Sequence, residues 1–130
     1  MTQHVATGTF EVKLTPVDLA GSPIGGLSID KTFRGDIDGS SVGVMLAVRT
    51  DVEGSAGYVA MERVTATLGG HRGSFALQHS GTMDHGAPTL SVTVVPDSGT
   101  DGLKGLTGRM DIVVTPGRHD YTFRYTLPVQ

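Results

Sequence analysis

Apolar and polar residues alternate along eight separate stretches of this chain, and no stretch repeats apolar residues at the spacing of a helix. Alternation of this kind puts one set of side chains on each face of a β-strand, so each stretch predicts a strand with one apolar face. The 19 glycines and six prolines supply turns between the strands. The predicted inner faces are Phe10, Val12 and Leu14; Leu27, Ile29 and Phe33, with Lys31 among them; Val42, Val44, Leu46 and Val48; Tyr58, Ala60, Glu62, Val64, Ala66 and Leu68; Phe75, Leu77 and His79; Leu90, Val92 and Val94; Met110, Ile112 and Val114; and Tyr121, Phe123, Tyr125 and Leu127.

The turns between neighbouring stretches test whether these faces agree, because antiparallel partners must turn the same face inward. A two-residue loop at Gly70 and His71 sets Glu62 opposite His79, so the two polar residues on inner faces become neighbours. The same count for other hairpins pairs His79 with Leu90, Ile112 with Tyr121 and, through a turn at Ile37 and Asp38, Phe33 with Val42.

Strands that each carry one apolar face can hide it in a closed barrel or by folding over as a sandwich. The short sequential connections favour an up-and-down order, and pairing of the first strand with the eighth leaves no exposed edge. The long link PDSGTDGLKGLTG is the exception, and it is predicted to hold one helical turn around DGLKGL. Since 130 residues is the size of one domain, the prediction is an all-β, eight-stranded antiparallel barrel, a single domain over residues 1–130.

Charge and composition argue against several classes of partner. The formal charge is −3, and lysines and arginines are scattered singly, so nucleic acid is not an expected partner. No stretch approaches the length of a membrane span, and the start MTQHVATGTFEV lacks the regions of a signal peptide. The chain has no cysteine, which agrees with a reducing compartment. A cytoplasmic protein that uses neither nucleic acid nor membrane is therefore expected.

Several segments resemble a family of small bacterial proteins of unknown function: ATGTFEVKLTP, SIDKTFRGDIDGSSVGVML, GSAGYVAMERVTATLGGHRGSFALQHSGTM, VTVVPDSGTDGLKGLTGRM and YTFRYTLP. That family is similar in fold to allene oxide cyclase and the dirigent proteins. The resemblance implies a calycin-like barrel that forms a homo-oligomer and has a cavity opening at one end. It does not imply the cyclase reaction, since the catalytic residues of that enzyme cannot be matched position by position to this sequence and fold alone does not carry function.

Glu62, His79 and Lys31 interrupt otherwise apolar faces. A carboxylate in an apolar interior is costly unless it is paired, and burial raises its pKa toward the range of a general base. His79 would orient Glu62 or act as the complementary acid, and Lys31 would be a countercharge or an anchor for an anionic ligand. The plainer alternatives are a buried pair that fixes strand register, a carboxylate at a wet barrel mouth and a lysine that extends to the rim.

Aromatic residues share the predicted interior, as they do in pockets for small hydrophobic ligands and equally in filled barrel cores. The candidate ligand-binding residues are Lys31, Phe33, Tyr58, Tyr121 and Tyr125. Small inward residues, such as Ala60, favour a hollow barrel that holds one small molecule.

Three classes of function follow from these features. The first is an isomerase, cyclase or lyase in which Glu62 accepts a proton and His79 orients or donates. The second is a carrier that binds a small apolar or weakly anionic molecule without changing it. The third is a structural or oligomeric module with a filled barrel.

Other motifs carry no chemistry. The sequence GSSVG at 39–43 fits a nucleophile elbow, but here it is expected at a hairpin rather than between a strand and a helix. Ser80 and His79 are adjacent on a strand and point to opposite faces. No pair of histidines has metal-ligand spacing, and His71, His85 and His119 fall in or beside different hairpin loops. No metal and no cofactor are expected.

Overall fold

The computed structural model describes residues 2–128 and confirms a closed barrel of eight antiparallel strands in sequential order, β1 pairing with β8. The predicted helical turn in the long link is present as a 3-10 helix, Asp101–Leu103. The strands are β1 Gln3–Val17, β2 Gly25–Gly35, β3 Ile37–Arg49, β4 Ala56–Leu68, β5 His71–Asp84, β6 Ala87–Val94, β7 Thr107–Thr115 and β8 Arg118–Thr126.

The hairpin between β4 and β5 turns one residue earlier than the sequence count predicts, which shifts the pairing of the two strands by two residues. Its loop is Gly69 and Gly70, which have φ values of 57° and 82°, the left-handed conformation that a tight hairpin loop needs. A loop at Gly70 and His71 would place histidine in that conformation, at a steric cost. Glu62 therefore pairs with Leu77, and His79 pairs with Ala60. A shift of two residues keeps the predicted inner face.

The pairing of β5 with β6 differs from its prediction in the same way. His79 lies opposite Val92 and not Leu90, because the loop consists of His85 and Gly86. The predicted pairing of Ile112 with Tyr121 is correct.

The predicted inner face of β3 is wrong. Phe33 pairs with Gly39 and not with Val42. Five residues lie between Phe33 and Gly39, an odd number, whereas the predicted pairing would place eight residues, an even number, between Phe33 and Val42. An odd change in register moves every side chain to the other face. The outward side chains, 39% to 61% exposed, are Val42, Val44, Leu46 and Val48.

The true inner face of β3 begins with Ile37 and continues through small residues. Ile37 is fully buried, and its N–H donates to the hydroxyl of Tyr121, which itself donates to the carbonyl of Arg34. Gly43 lies against Glu62, where a Cβ would come within 2.8 Å of the Cα of that residue. The segment GSSVG is thus part of a strand and not a hairpin turn, contrary to the sequence prediction.

One end of the barrel is filled and the other is open. The closed end, where the β2–β3 and β4–β5 turns lie, contains stacked rings of Phe75, Phe123 and Tyr125 and is covered by Leu103 and Leu106 of the long link. The open end carries the β1–β2, β3–β4, β5–β6 and β7–β8 connections. Over residues 2–128 no helix has the length and apolar character needed to cross a bilayer.

Candidate functional site

A buried carboxylate stands at the centre of a polar cluster inside the barrel. Glu62 Oε1 accepts hydrogen bonds from Lys31 Nζ at 2.9 Å and from His79 Nε2 at 2.5 Å, and Oε2 accepts from Ser41 Oγ at 2.5 Å. All four residues are buried, Glu62 to within 2% of full burial. The structure thus brings together Glu62, His79 and Lys31 and adds Ser41, which the sequence analysis missed.

The register of four neighbouring strands builds this cluster. Ser41 lies directly opposite Lys31, while His79 on β5 and Ser41 on β3 are both diagonal neighbours of Glu62 on β4. Diagonal positions are within reach of long side chains. Gly43, opposite Glu62, has no side chain, and the side chain of Lys31 on β2 crosses β3 to reach the carboxylate on β4.

Three donors keep Glu62 ionised. Burial by itself raises the pKa of Glu62, but the hydrogen bond from His79, the positive charge of Lys31 and the hydroxyl of Ser41 outweigh burial and lower the pKa from 4.5 to about 2. An ionised carboxylate can only accept hydrogen bonds, so Nε2 of His79 carries the proton between them. In the neutral imidazole, Nδ1 is then left with a lone pair.

A cavity of about 190 Å³ lies between this cluster and the open end. Its wall is mainly apolar, and its polar lining residues are Lys31, Tyr58, His79 and His119. Glu62 is not among the lining residues. Lining residues are Phe10, Val12, Leu14, Ile29, Lys31, Met45, Tyr58, Ala60, His79, Leu90, Ile112, Val114 and His119. Both carboxylate oxygens of Glu62 are instead occupied by Lys31, His79 and Ser41.

The basic groups are held by ring contacts. Lys31 Nζ lies 4.5 Å from the centre of the Phe10 ring, a cation–π contact. The His119 ring stacks on the same Phe10 ring, with 4.9 Å between the two ring centres. Burial, and after it the negative charge of Glu62, raise the pKa of Tyr58. That hydroxyl therefore stays protonated and remains a donor at neutral pH.

Several polar atoms of the cavity have no partner within residues 2–128. No hydrogen bond is made there by Nδ1 of His79, the imidazole of His119 or the hydroxyl of Tyr58. Over residues 2–128, however, every fully buried side-chain nitrogen or oxygen has a hydrogen-bond partner. These atoms must then be open to the cavity or its mouth, and they are available to a bound molecule.

The other candidate ligand-binding residues lie deeper. Phe33 and Tyr121 pack edge to face in the core, and the Tyr121 hydroxyl is occupied by the backbone of the β2–β3 corner. Tyr125 stacks on Phe123 near the closed end. Lys31 and Tyr58 line the cavity, whereas Phe33, Tyr121 and Tyr125 do not.

His119 lies beside a hairpin loop, as predicted, at the second position of β8, but there it lines the cavity. Its position two residues before Tyr121 is the signal that could have identified it, because alternate residues share a face. Within the described residues, no group of three or more histidines, cysteines or carboxylates is placed to hold a metal ion.

Comparison with known proteins assigns this chain to a protein family. Residues 6–125 match the family model described as protein of unknown function (DUF3224). A crystal structure of a protein with unknown function from the DUF3224 family of Shewanella oneidensis MR-1 is similar, with 42% sequence identity and a TM-score of 0.92. The match covers 99% of this chain and 100% of that one. No curated protein matches significantly.

Proposed function

Since this chain belongs to the DUF3224 family, whose function is unknown, we propose a function from its own geometry: the barrel binds one small, mostly apolar molecule that carries a weakly acidic group. The observation that carries this proposal is a mainly apolar cavity lined by both Lys31 and His79, whose side chains meet at Glu62 Oε1. A relation to allene oxide cyclase and dirigent barrels stays a prediction, and the proposed binding does not depend on it.

Cavity size limits the ligand. A cavity of 150 Å³ is enough for benzene, so about 190 Å³ suits a single substituted ring or a short chain. The apolar wall supplies most of the contact area, as in most small-molecule pockets. Larger ligands would extend past Val114 into the open end, where that side chain is largely exposed.

Lys31 and His79, which line the cavity, determine which polar group the ligand carries. Lys31 uses one of its three donors on Glu62 and can offer another to an oxygen atom. In the neutral imidazole of His79, Nδ1 accepts a hydrogen bond, so it prefers a partner that still has a proton to donate. A weakly acidic hydroxyl meets both demands, because it can donate to His79 while it accepts from Lys31. A strong anion would suit only Lys31, and the charge of Lys31 is already balanced by the carboxylate of Glu62.

We predict that 4-nitrophenol binds at least about ten times more tightly than 4-nitrotoluene, which has the same ring and no hydroxyl, equivalent to about 1.4 kcal/mol. Isothermal calorimetry measures both affinities. Ala60→Leu, which fills the cavity, should weaken both probes by more than tenfold, whereas Ala87→Leu, the same change at an exposed site on β6, should affect neither. Equal affinity for the two probes, or unchanged binding by Ala60→Leu, would overturn the proposal.

A second candidate function, proton transfer in an isomerase, is favoured by the contact between His79 and Glu62. A carboxylate that holds one imidazole nitrogen leaves the other as a general base, as in other carboxylate–histidine pairs. The roles are then the reverse of the sequence prediction: His79 accepts the proton and Glu62 positions and stabilises it. In this reaction Nδ1 removes a proton from the carbon beside a carbonyl, and the C–H electron pair forms an enolate. Lys31 and Tyr58 donate to its oxygen, and His79 returns the proton to another carbon of the same molecule.

We predict that the protein converts 3-cyclohexen-1-one to the conjugated 2-cyclohexen-1-one, which ultraviolet absorbance reports directly. His79→Gln should lower kcat by about 100-fold or more, the usual range for loss of a general base, with KM little changed. His85→Gln, at an exposed hairpin, is the matched control and should have no effect. A wild-type protein that binds 4-nitrophenol but converts no enone is a carrier, and this second candidate is then rejected.

A further inference from the structure

The outer surface of β3 and β4 is apolar where most outer faces of the barrel are polar. Outward positions of β1, for comparison, carry Glu11 and Lys13. We propose that this surface is the interface of a homodimer, with the two barrels packed sheet to sheet. We define the outer apolar face as Val42, Val44, Leu46, Val48, Val59 and Met61.

Strand pairing makes this face continuous. Met61 lies opposite Val44, and Val59 lies opposite Leu46, so apolar side chains fill adjacent positions on two strands. The flanking outward positions on β5 are Gln78, Ser80 and Thr82, which are uncharged and do not project charges over the centre. Two shallow depressions of about 400 and 430 Å³ meet at Leu46, Val59 and Ser80 and can receive side chains of an opposing surface.

The dimensions suit a stable dimer. Val42 to Val48 spans roughly 20 Å at about 3.3 Å per residue, and the four strands β2 to β5 span roughly 15 Å at about 4.8 Å per spacing. A polar rim of roughly 5 Å on each side gives a footprint of roughly 750 Å², close to the roughly 800 Å² that each partner buries in a standard interface.

A second copy of the chain fits this face better than other occupants. Homodimer interfaces are the most apolar class and are depleted in charge at the centre, as this face is. The barrel is closed, so β3 and β4 offer no free edge to which an extended peptide could add as a strand. Face-to-face packing of two such surfaces, about 10 Å apart, is the way β-sheets normally bury an apolar face.

The dimer is tested by sedimentation of the whole chain at about 100 μM, where an interface with a micromolar dissociation constant is nearly saturated. Wild type is expected at twice the 13.5 kDa chain mass. Val59→Asp should weaken association by more than 100-fold, because it buries an unpaired charge. Val113→Asp is the matched control: Val113 is 59% exposed and Val59 52%, but Val113 lies on β7 across the barrel, so this variant should stay dimeric.

A monomeric wild type overturns the proposal, and so does a Val113→Asp variant that dissociates or a folded Val59→Asp variant that does not. Cross-linking keeps the test decisive if Val59→Asp fails to fold. Because the chain contains no cysteine, a short bismaleimide can join only introduced cysteines. Leu46→Cys should give covalent dimers and Val113→Cys should not, and the opposite pattern would reject this interface.

Discussion

Replacement of Glu62 by glutamine is expected to lower the free energy of unfolding by about 3 to 5 kcal/mol at pH 7, the usual cost of removing one partner from a buried ion pair. Glutamine keeps the shape and can still hydrogen-bond, but it leaves the ammonium of Lys31, 7% exposed, without a countercharge in a mainly apolar interior. Chemical denaturation followed by circular dichroism measures the loss. Glu11→Gln is the control, because that carboxylate is exposed and its ion pair with Arg34 is long, at 3.8 Å.

Further variants separate charge from packing. Ser41→Ala removes one neutral donor to the carboxylate and should cost about 1 to 3 kcal/mol. The double variant Lys31→Met with Glu62→Leu removes both charges and should recover at least half of the Glu62→Gln loss, as apolar replacements of buried ion pairs often do. A Glu62→Gln protein as stable as wild type would mean that the cluster contributes little to folding. The role of Glu62 would then have to be sought in ligand chemistry alone.

The polar cluster could be predicted from the sequence although the register that led to it was wrong. Parity of alternation puts Glu62 and His79 on the same face for any even shift of the β4–β5 hairpin, and both side chains are long enough to meet diagonally. The precise pairing depended on which two residues form the loop. Only the left-handed conformations of Gly69 and Gly70 decide that, and glycine-rich turns offer several such choices.

The face of β3 could not be predicted from hydrophobicity. Its outward residues include Val44 and Leu46, which are more apolar than the inward Gly39, Ser41 and Gly43, so pattern alone points the wrong way. The inner face is small because β4 lies close against it: a Cβ at Gly39 would come within 2.6 Å of the Cα of Ala66, and one at Gly43 within 2.8 Å of the Cα of Glu62. Ser41 was missed for the same reason, since a flipped strand places it outside. The proposed dimer accounts for the misleading pattern, because an interface on the outer face needs apolar residues there.

The titration of Glu62 should by itself make the free energy of unfolding fall in acid. Its pKa is about 2 in the folded protein and near 4.5 as the ordinary value, so the ionised form is favoured by folding. The folded pKa is the lower one, which means that the stabilisation is fully present above about pH 4.5 and is lost as the pH falls toward 2. The difference between the two pKa values corresponds to about 3 kcal/mol, comparable to the loss expected for Glu62→Gln.

The pH effect is best measured as a difference between two proteins. Other carboxylates also titrate between pH 4.5 and 2, but most are exposed and contribute equally to wild type and Glu62→Gln. The free energy of unfolding of wild type minus that of the variant should therefore shrink by about 3 kcal/mol between about pH 5 and pH 2. Glu11→Gln should give a difference near zero throughout. A wild-type minus Glu62→Gln difference that stays constant down to pH 2 would mean that folding does not shift the pKa of Glu62. A difference that grows as the pH falls would mean that Glu62 is protonated in the folded barrel, and the proton assignment that leaves His79 Nδ1 as an acceptor would then fail.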